Sequence, residues 1–506
     1  MGDLIRTVKG YHRATEYDRH AMQGHYLDWP NQPDVYKKYK GVSSLKLFQT
    51  MDGGEQDLYR LSRRNPSENF KALLNRPLLA AILQRAYALT ARTGHSEQNF
   101  YYRSVASAGA LYPTELYLSA SGIVDLDLGL YHYGIATGDL SLIREGNIQH
   151  FVEEATGGDG QEEGKATFII TGSIFRSAWK YRSRAYRYVL LDSGHLLENL
   201  LLALKSLSLP FSFGYNFDDK RLNQIVGIDG RKEVCLGYVH LHGRSERKNG
   251  SFEHDFDFEK KLPEAEPTSG KECFYEEIEQ IQDAGTVVTH FDYGNIRAEN
   301  EIGINALEWS DIKTYDTRFS KMSYPEVVYR RRSSRNFTGR IMPRSAFDNL
   351  LGLVCNSFCC LETSESASGA IIRVGLLTGN VEGIQAGFYI LDLEKQKIGI
   401  VREGNMITKM ATICLNQEWL ANAAIHLLFM TNLDYIDRLH GPRGYRHAMI
   451  TAGRLGQMLY LAAGTNQLGC CGIGALYDGE ARELLNLNSE SALLYLVAAG
   501  PVKRLP

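Results

Sequence analysis

The sequence has no long apolar run and no excess of charge of either sign. Its best apolar stretch, residues 196–204, contains Glu198 and Asn199 and is far shorter than the roughly 20 residues that cross a bilayer. The formal net charge of −3 is too small to create a field that would recruit nucleic acid or an anionic membrane surface. We therefore expect no membrane and no nucleic-acid partner, and a small molecule or a peptide as substrate.

The sequence also lacks the patterns that mark secretion, metal binding and serine hydrolysis. Residues 1–20 contain no apolar stretch of the length a secretory signal needs, so a cytoplasmic protein is expected. The eight cysteines form no spaced pairs of the zinc-site kind, and the adjacent pairs at 359–360 and 470–471 are interpreted as packing residues. No Gly-x-Ser-x-Gly elbow is present. We predict no metal site and no hydrolase chemistry.

The length of the chain predicts more than one domain. At 506 residues it exceeds the roughly 250 to 300 residues at which single cores stop growing. From residue 243 to about residue 300 the composition shifts to Glu, Lys, Asp and Ser, with Pro263, Pro267 and Gly270 close together, which is typical of a linker. The predicted divisions are an N-terminal arm at 1–45, a first domain at 46–244, a linker at 245–312 and a second domain at 313–506.

The second half of the sequence repeats the first. The stretch that begins at Arg184 aligns without a gap with the stretch that begins at Arg443, 259 residues later, and Asp219 aligns with Asp478. Apolar periodicity predicts helices at 80–92, 185–207, 344–354 and 445–463, and strands at 115–120, 166–171, 371–377 and 493–498. The pattern predicts a duplicated α+β domain rather than a solenoid, because only two copies exist.

Three short stretches carry residues suited to a phosphorylated ring cofactor. The cation segment (residues 331–335, Arg-Arg-Ser-Ser-Arg) alternates guanidinium groups with a hydroxyl, which suits a phosphate monoester. The glycine stretch (residues 469–475, Gly-Cys-Cys-Gly-Ile-Gly-Ala) lets backbone amides approach a flat ring. The serine loop (residues 107–113) combines the Ser107 hydroxyl and the open backbone of Gly109 with Pro113. Alone, each has a simpler interpretation, as a solvated cation cluster or a tight loop.

Together these stretches resemble the nitroreductase superfamily, and most closely its SagB-type dehydrogenases, which form thiazoles and oxazoles. The resemblance rests on the R-R-S-x-R motif, the serine loop and the late glycine-rich loop, and further on motifs at 11–15, 29–33, 179–187 and 192–195. It covers nearly the whole chain and implies a nitroreductase-like fold in each half, with FMN as cofactor. The sequence departs from the family at Ala106, where a proline is expected.

The resemblance implies one FMN site between the two halves. The residues expected to bind FMN are Arg331, Arg332, Ser333, Arg335, Lys503 and Arg504 near the phosphate, Ser107, Ala108 and Gly109 from the first half, and Cys471, Gly472, Ile473 and Gly474 near the ring. The reciprocal site is expected to be lost. The first half offers only Arg-Leu-Ser-Arg-Arg-Asn at 60–65, and the aromatic residues within 210–216 would fill the space that a flavin ring needs. We predict one FMN per chain.

Lys180 and Tyr181 are the predicted catalytic residues. In thiazole-forming relatives a Lys-Tyr pair at this place is required for azoline oxidation, so the resemblance implies dehydrogenation of a thiazoline or oxazoline ring in a peptide-derived substrate. FMN can accept a hydride from one ring carbon while an amine removes the proton from the next. The structural alternative is that residues 179–181 only cap and pack a helix.

Two other functions stay open at this point. One is NAD(P)H-dependent reduction of nitro compounds or quinones on the same scaffold. The other is a flavin-free docking subunit of a peptide-modifying complex, although the intact cation segment and glycine stretch weigh against it. Leader-peptide recognition by partner proteins is compatible with the sequence, as are a monomer and a homodimer.

Overall fold

The computed structural model describes residues 5–22, 24–47, 57–64, 73–94, 99–157, 166–242, 260–286, 301–313, 322–359 and 371–503. Within these ranges the chain forms two α+β units built in the same order. The predicted fold class and the predicted duplication are therefore confirmed.

The helices of the described residues are α1 (Val8–Ala14), α2 (Leu58–Ser62), α3 (Arg76–Ala86), α4 (Gln149–Thr156), α5 (Ile174–Tyr181), α6 (Ala185–Ser206), α7 (Asp219–Val226), α8 (Glu276–Ala284), α9 (Tyr324–Arg330), α10 (Arg344–Cys359), α11 (Ile407–Ile413), α12 (Leu433–His440), α13 (Gly444–Thr465) and α14 (Asp478–Leu484). None of them combines the length and the apolarity that crossing a membrane would take.

The strands of the same ranges are β1 (Ser44–Lys46), β2 (Leu89–Gly94), β3 (Asn99–Arg103), β4 (Thr114–Ala120), β5 (Gly129–Gly134), β6 (Asp139–Glu145), β7 (Ala166–Ser173), β8 (Phe211–Gly214), β9 (Glu233–Leu241), β10 (Glu308–Asp311), β11 (Arg373–Thr378), β12 (Gly387–Asp392), β13 (Lys397–Glu403), β14 (Ile425–Asn432), β15 (Gly469–Ile473) and β16 (Ser491–Gly500).

Each half contributes one seven-stranded sheet, as far as the chain is described. The first has the order β1-β6-β5-β4-β7-β9-β8, and the second has the order β10-β13-β12-β11-β14-β16-β15. Neighbouring strands run antiparallel in both sheets. The strands β8 and β15 therefore occupy equivalent edges. The predicted domain boundaries stay a prediction. Strand β1 begins before the predicted start of the first domain at residue 46, and β10 lies before the predicted start of the second domain at residue 313.

The long helices α6 and α13 pack against each other at the centre of the molecule. Every residue of α6 is buried, including polar and charged ones such as Asp192 and Glu198. The two helices approach most closely at two glycines, since a methyl group on Gly194 would lie 2.9 Å from both the amide of Arg454 and the Cα of Gly453. The absence of side chains at these two positions lets the helices meet backbone to backbone.

Two matching sets of buried ion pairs join the halves. Arg184 and Arg187 each place a guanidinium nitrogen 2.8 Å from Asp478, and 259 residues later Arg443 and Arg446 both pair with Asp219. Burial alone would raise the pKa of Asp478, but Arg184 and Arg187 hold it well below its ordinary value. Each half thus supplies the arginines that neutralise the other half's buried carboxylate.

Two details of the predicted secondary structure are wrong. The helix expected at 80–92 is α3, which ends at Ala86, because residues 89–94 pair with β3 as a hairpin. The glycine stretch was expected to form a loop, but residues 469–473 form β15, paired with β16. The remaining predicted helices and strands correspond to α6, α10, α13, β4, β7, β11 and β16.

Candidate functional site

The cation segment and β15 lie side by side. The amide of Ser334 donates to the carbonyl of Cys470 at 2.8 Å. Tyr460 of α13 joins the two stretches, because its hydroxyl accepts from the amide of Gly472 at 2.7 Å and lies 2.9 Å from Ser333 Oγ. The fold therefore brings together two stretches separated by more than 130 residues, and Tyr460 is a site residue that the sequence did not reveal.

Arg331 links the cation segment to the first half. Its buried side chain donates from Nε to the carbonyl of Ser104 at 2.8 Å and from Nη2 to the carbonyl of Arg103 at 3.0 Å. These carbonyls come shortly before the serine loop. The third nitrogen, Nη1, is buried and has no hydrogen-bond partner among the described residues. One donor of Arg331 is therefore available to an acceptor that the chain itself does not supply.

The other predicted cations lie nearby. Arg332 donates to Thr90 Oγ1 at 2.9 Å, Arg335 is exposed beside the ring of Trp419, and the amide of Lys503 donates to the carbonyl of Asn336 at 3.1 Å. Within the described part of the chain, none of Arg331, Arg332, Arg335 and Lys503 pairs with a carboxylate. Burial and the like charge of Arg331 lower the pKa of Arg332. Arg504 lies outside the described residues.

Two tyrosines pack closely against the glycine stretch. Any side chain on Gly472 would overlap the Tyr495 hydroxyl, and a methyl group on Gly474 would lie 2.5 Å from the ring of Tyr188. Cys471 and Ile473 are buried in the second sheet's core. Burial raises the pKa of the Cys471 thiol, and Arg335 opposes that shift. The close approach of Tyr495 and Tyr188 therefore requires glycine at both positions.

A cleft of about 530 Å³ opens beside the cation segment. Arg331, Arg332, Ser334, Tyr460 and Cys470 contribute to its wall. The volume falls within the range of small-molecule sites. The serine loop does not line this cleft, so the cleft represents only the second half's share of the candidate site.

The serine loop adopts a left-handed backbone at three of its residues. Gly109, Ala110 and Tyr112 have φ values of +64°, +56° and +46°. Side chains make this conformation costly at Ala110 and Tyr112, so surrounding contacts must hold it. The amide of Tyr112 donates to Ser107 Oγ at 2.9 Å, which closes the loop on itself.

Asp192 of α6 binds the start of this loop. Its carboxylate accepts from Ser107 Oγ at 2.5 Å and from the amide of Ala108 at 3.2 Å. Burial raises the pKa of Asp192 to about 7, while these two hydrogen bonds and the charge of Arg103 act to lower it. The sequence placed Asp192 in a motif without giving it a role.

Lys180 and Tyr181, the last two residues of α5, lie against the serine loop. A methyl group on Gly109 would be 2.7 Å from Tyr181 Oη and 3.3 Å from Lys180 Nζ. The preceding Trp179 has the packing role, since its indole donates to the carbonyl of Asp28 at 2.8 Å and its ring meets that of Trp29 edge-on. The structure thus separates a structural tryptophan from a Lys-Tyr pair that faces the loop.

The electrostatic surroundings of Tyr181 connect the two halves. Burial raises the pKa of its phenol, and the nearby Tyr188 and Asp192 raise it further. The charge of Arg335, from the cation segment, acts in the opposite direction. Groups from both halves therefore influence one hydroxyl, as a composite site requires.

The reciprocal position carries aromatic side chains. Phe213 and Tyr215 stand where the second half has Gly472 and Gly474. Arg454 lies 4.6 Å from the centre of the Phe213 ring, and it donates to the Tyr215 hydroxyl at 3.0 Å while pairing with Glu198 at 3.0 Å. Of the weak first-half counterpart of the cation segment, residues 60–62 form the end of α2 and residues 63–64 follow it, while Asn65 lies outside the described residues.

The model of the nitroreductase family matches residues 71–244 and again residues 328–501. The chain belongs to the nitroreductase family. The predicted tandem arrangement of two nitroreductase domains is thereby confirmed, and each matched range contains one of the two central helices.

Known proteins resemble parts or all of this nitroreductase-family chain. The microcin B17-processing protein McbC of Escherichia coli is 27% identical over 140 residues, which cover 26% of this chain and 52% of McbC. The trifolitoxin-processing protein TfxB of Rhizobium leguminosarum bv. trifolii is 29% identical over 148 residues, which cover 28% of this chain and 40% of TfxB. The chain spans about half the length of the curated relatives it matches.

One solved structure matches the chain from end to end. The crystal structure of a nitroreductase-like protein from Anabaena variabilis superposes with a TM-score of 0.77 and 25% sequence identity, covering 98% of this chain and 100% of that chain. A chain that matches both halves at once supports the arrangement of the two units described above.

Proposed function

We propose that the protein is an FMN-dependent oxidoreductase that dehydrogenates a thiazoline or oxazoline ring of a peptide-derived substrate to the azole. The observation that carries this proposal is the position of Lys180 and Tyr181 against Gly109, in the half opposite the cation segment. Two relatives are named for processing microcin B17 and trifolitoxin, which favours a substrate of the same kind.

The residues of the site fit FMN. The cations of the segment meet no carboxylate among the described residues, and Arg331 keeps one buried donor without a partner. An anionic phosphate would complete both. Arg331, Ser333, Arg335 and Lys503 would hold the phosphate. The serine loop and β15 would border the ring, since both present small residues there.

The chemistry divides between the cofactor and the Lys-Tyr pair. When bound, FMN supplies the acceptor for a hydride and passes two electrons on to dioxygen. Lys180 Nζ would take the proton from the ring carbon next to the one that loses the hydride, which leaves the new double bond of the azole. Tyr181 would hold its proton as a hydrogen-bond donor, because burial raises the pKa of its phenol.

The peptide leader would be recognised with the help of partner proteins of a modification complex. A monomer and a homodimer are both compatible with this activity, because the fused halves already supply both sides of the site.

The first experiment measures the absorption spectrum and the FMN content of the purified protein and of an Arg331→Ala, Arg335→Ala double variant. We expect one FMN per chain in the wild type and none in the variant. The matched control is Arg340→Ala, Arg438→Ala, which removes two exposed cations that do not line the cleft and should retain FMN. Protein that stays colourless after FMN is added would instead identify a docking subunit.

The second experiment follows oxidation of a synthetic thiazoline peptide by mass spectrometry. Lys180→Met and Tyr181→Phe keep most of the side-chain volume, and each is expected to slow azole formation by about 100-fold or more, the usual contribution of a proton-transfer group. Both variants should retain FMN. Rapid NADH oxidation with a nitrofuran, together with an inert thiazoline peptide, would replace the proposal by a nitroreductase.

A further inference from the structure

Asp192 is a buried carboxylate near the middle of the buried helix α6, and it pairs with no cation among the described residues. Its two oxygens instead accept from the first two residues of the serine loop. A carboxylate in this setting is costly unless hydrogen bonds satisfy it. The position therefore calls for an explanation beyond packing.

The residues bound by Asp192 begin the strained part of the loop. Ser107 Oγ both donates to Asp192 and accepts from the amide of Tyr112, so one hydroxyl joins the carboxylate to the far end of the left-handed turn. Between these two anchors lies Gly109, whose Cα faces Tyr181 Oη and Lys180 Nζ. A shift of the loop would therefore move the surface that the Lys-Tyr pair faces.

The duplicated half provides a comparison within the same chain. The residue 259 positions after Asp192 is Thr451, whose buried hydroxyl has no hydrogen-bond partner among the described residues. The fold thus forms the equivalent helix without a carboxylate at this place. Asp192 is needed on the side that carries Lys180 and Tyr181, and not by the helix itself.

We propose that Asp192 is a positioning residue, which fixes the serine loop through Ser107 and Ala108 and so sets the distance between the Lys-Tyr pair and a bound FMN ring. This inference rests on the proposed function for its link to catalysis. The loop geometry that it explains does not depend on the substrate.

The same contact makes the site sensitive to pH. Besides the serine loop, the titratable groups whose charges interact with Asp192 are Arg103 of β3, Tyr181 of α5 and Tyr495 of β16. Burial raises the pKa of Asp192 to about 7, so its charge changes near neutrality. Ionised, it accepts from Ser107. Protonated, it donates to the same oxygen and loses its negative charge beside Tyr181.

The test compares Asp192→Ala, Asp192→Asn and the control Thr451→Ala in the full-length protein. Hydrogen exchange measured by mass spectrometry reports on the amides of residues 107–112. Asp192→Ala should speed exchange in this segment by about tenfold, the equivalent of one lost hydrogen bond. Asp192→Asn should stay near the wild type, because its amide group can accept from Ala108 and donate to Ser107. Thr451→Ala should change nothing.

Turnover of the thiazoline peptide at saturating FMN supplies the second readout. Asp192→Ala should lower kcat about tenfold or more with little change in KM, as expected for displaced catalytic groups. Asp192→Asn should keep a measurable kcat and lose the pH dependence centred near 7. Unchanged exchange in Asp192→Ala, or an unchanged pH profile in Asp192→Asn, overturns the proposal. If the wild type binds FMN but does not oxidise azolines, the proposed function is refuted. The role of Asp192 in positioning the serine loop is still decided by the hydrogen-exchange measurement.

Discussion

The edge strands β8 and β15 occupy equivalent places in the two sheets and carry different side chains. β15 and the residue after it present Gly472 and Gly474, while the corresponding residues of the first half are Phe213 and Tyr215. In the second half two tyrosines pack against the glycines, and in the first half Arg454 contacts both aromatic rings. The same backbone therefore accepts both an open and a filled edge.

The contacts that join the halves did not diverge in this way. Asp478 and Asp219 each bind two arginines of the opposite half, and the four arginines are buried on both sides. The difference teaches that the residues that hold the fold and those that form the site can be separated in this chain. The aspartates with their arginine pairs occur in both halves, whereas Lys180 and Tyr181 have no counterpart of the same kind in the second half.

The largest expected effect concerns the two buried aspartates. Asp478→Asn and Asp219→Asn should each lower the free energy of unfolding by about 3–5 kcal/mol, because each leaves two buried guanidinium groups without their carboxylate. Only Asp478→Asn should also weaken FMN binding, since Arg184 donates to the carbonyl of Gly474 at 2.9 Å as well. Urea unfolding and FMN titration measure the two effects. Equal losses of FMN affinity would show that the two sides are not functionally distinct.

A smaller effect sharpens the comparison between Asp192 and Thr451. Burial raises the pKa of Asp192 to about 7 in the folded protein. The protonated carboxyl therefore contributes to stability, and this contribution is lost as the pH rises from the pKa of Asp192 in the unfolded chain to about 7. Relative to Asp192→Asn, the wild type should lose stability steadily between about pH 4 and pH 7, and no more above pH 7. Urea unfolding of both proteins across this range checks the slope. If the difference in unfolding free energy between the two proteins does not change with pH, Asp192 does not titrate in this range.

The smallest expected effect is on the filled edge. Phe213→Gly with Tyr215→Gly removes the bulk from β8, yet the FMN content should remain one per chain. The reciprocal site would also have Leu439 and His440 at the positions that correspond to Lys180 and Tyr181, and Thr451 at the position that corresponds to Asp192. Absorption spectra and released FMN give the count. A second bound FMN would mean that aromatic bulk alone closed the reciprocal site.

The sequence predicted the repeating parts of the fold well. The apolar series from Arg184 and from Arg443 aligned at one offset, and both segments form the central helices. The prediction failed where pairing with a distant strand outweighed local pattern. Residues 89–92 continued a helical pattern but pair with β3, and the glycine stretch pairs with β16.

The candidate site was predictable only in part. The Arg-rich and Gly-rich stretches stand out because their composition is unusual, whereas Asp192 and Tyr460 each lie within a long buried helix. Their contacts reach Ser107 and Ser333, 85 and 127 residues away. One signal was present: the repeat replaces Asp192 by Thr451 and Tyr460 by Leu201, so the carboxylate and the phenol each occur on one copy alone.

The glycine contact between α6 and α13 bears on how such a chain can change. In an assembly of two identical subunits, every mutation near the symmetry axis appears twice and meets its own copy. Here Gly194 and Gly453 are encoded separately, although each occupies the place that the other would have in a symmetric pair. A substitution that would be harmful if present on both sides of the contact can therefore occur on one side only. The fused chain can thus adopt sequences that are not accessible to a homodimer.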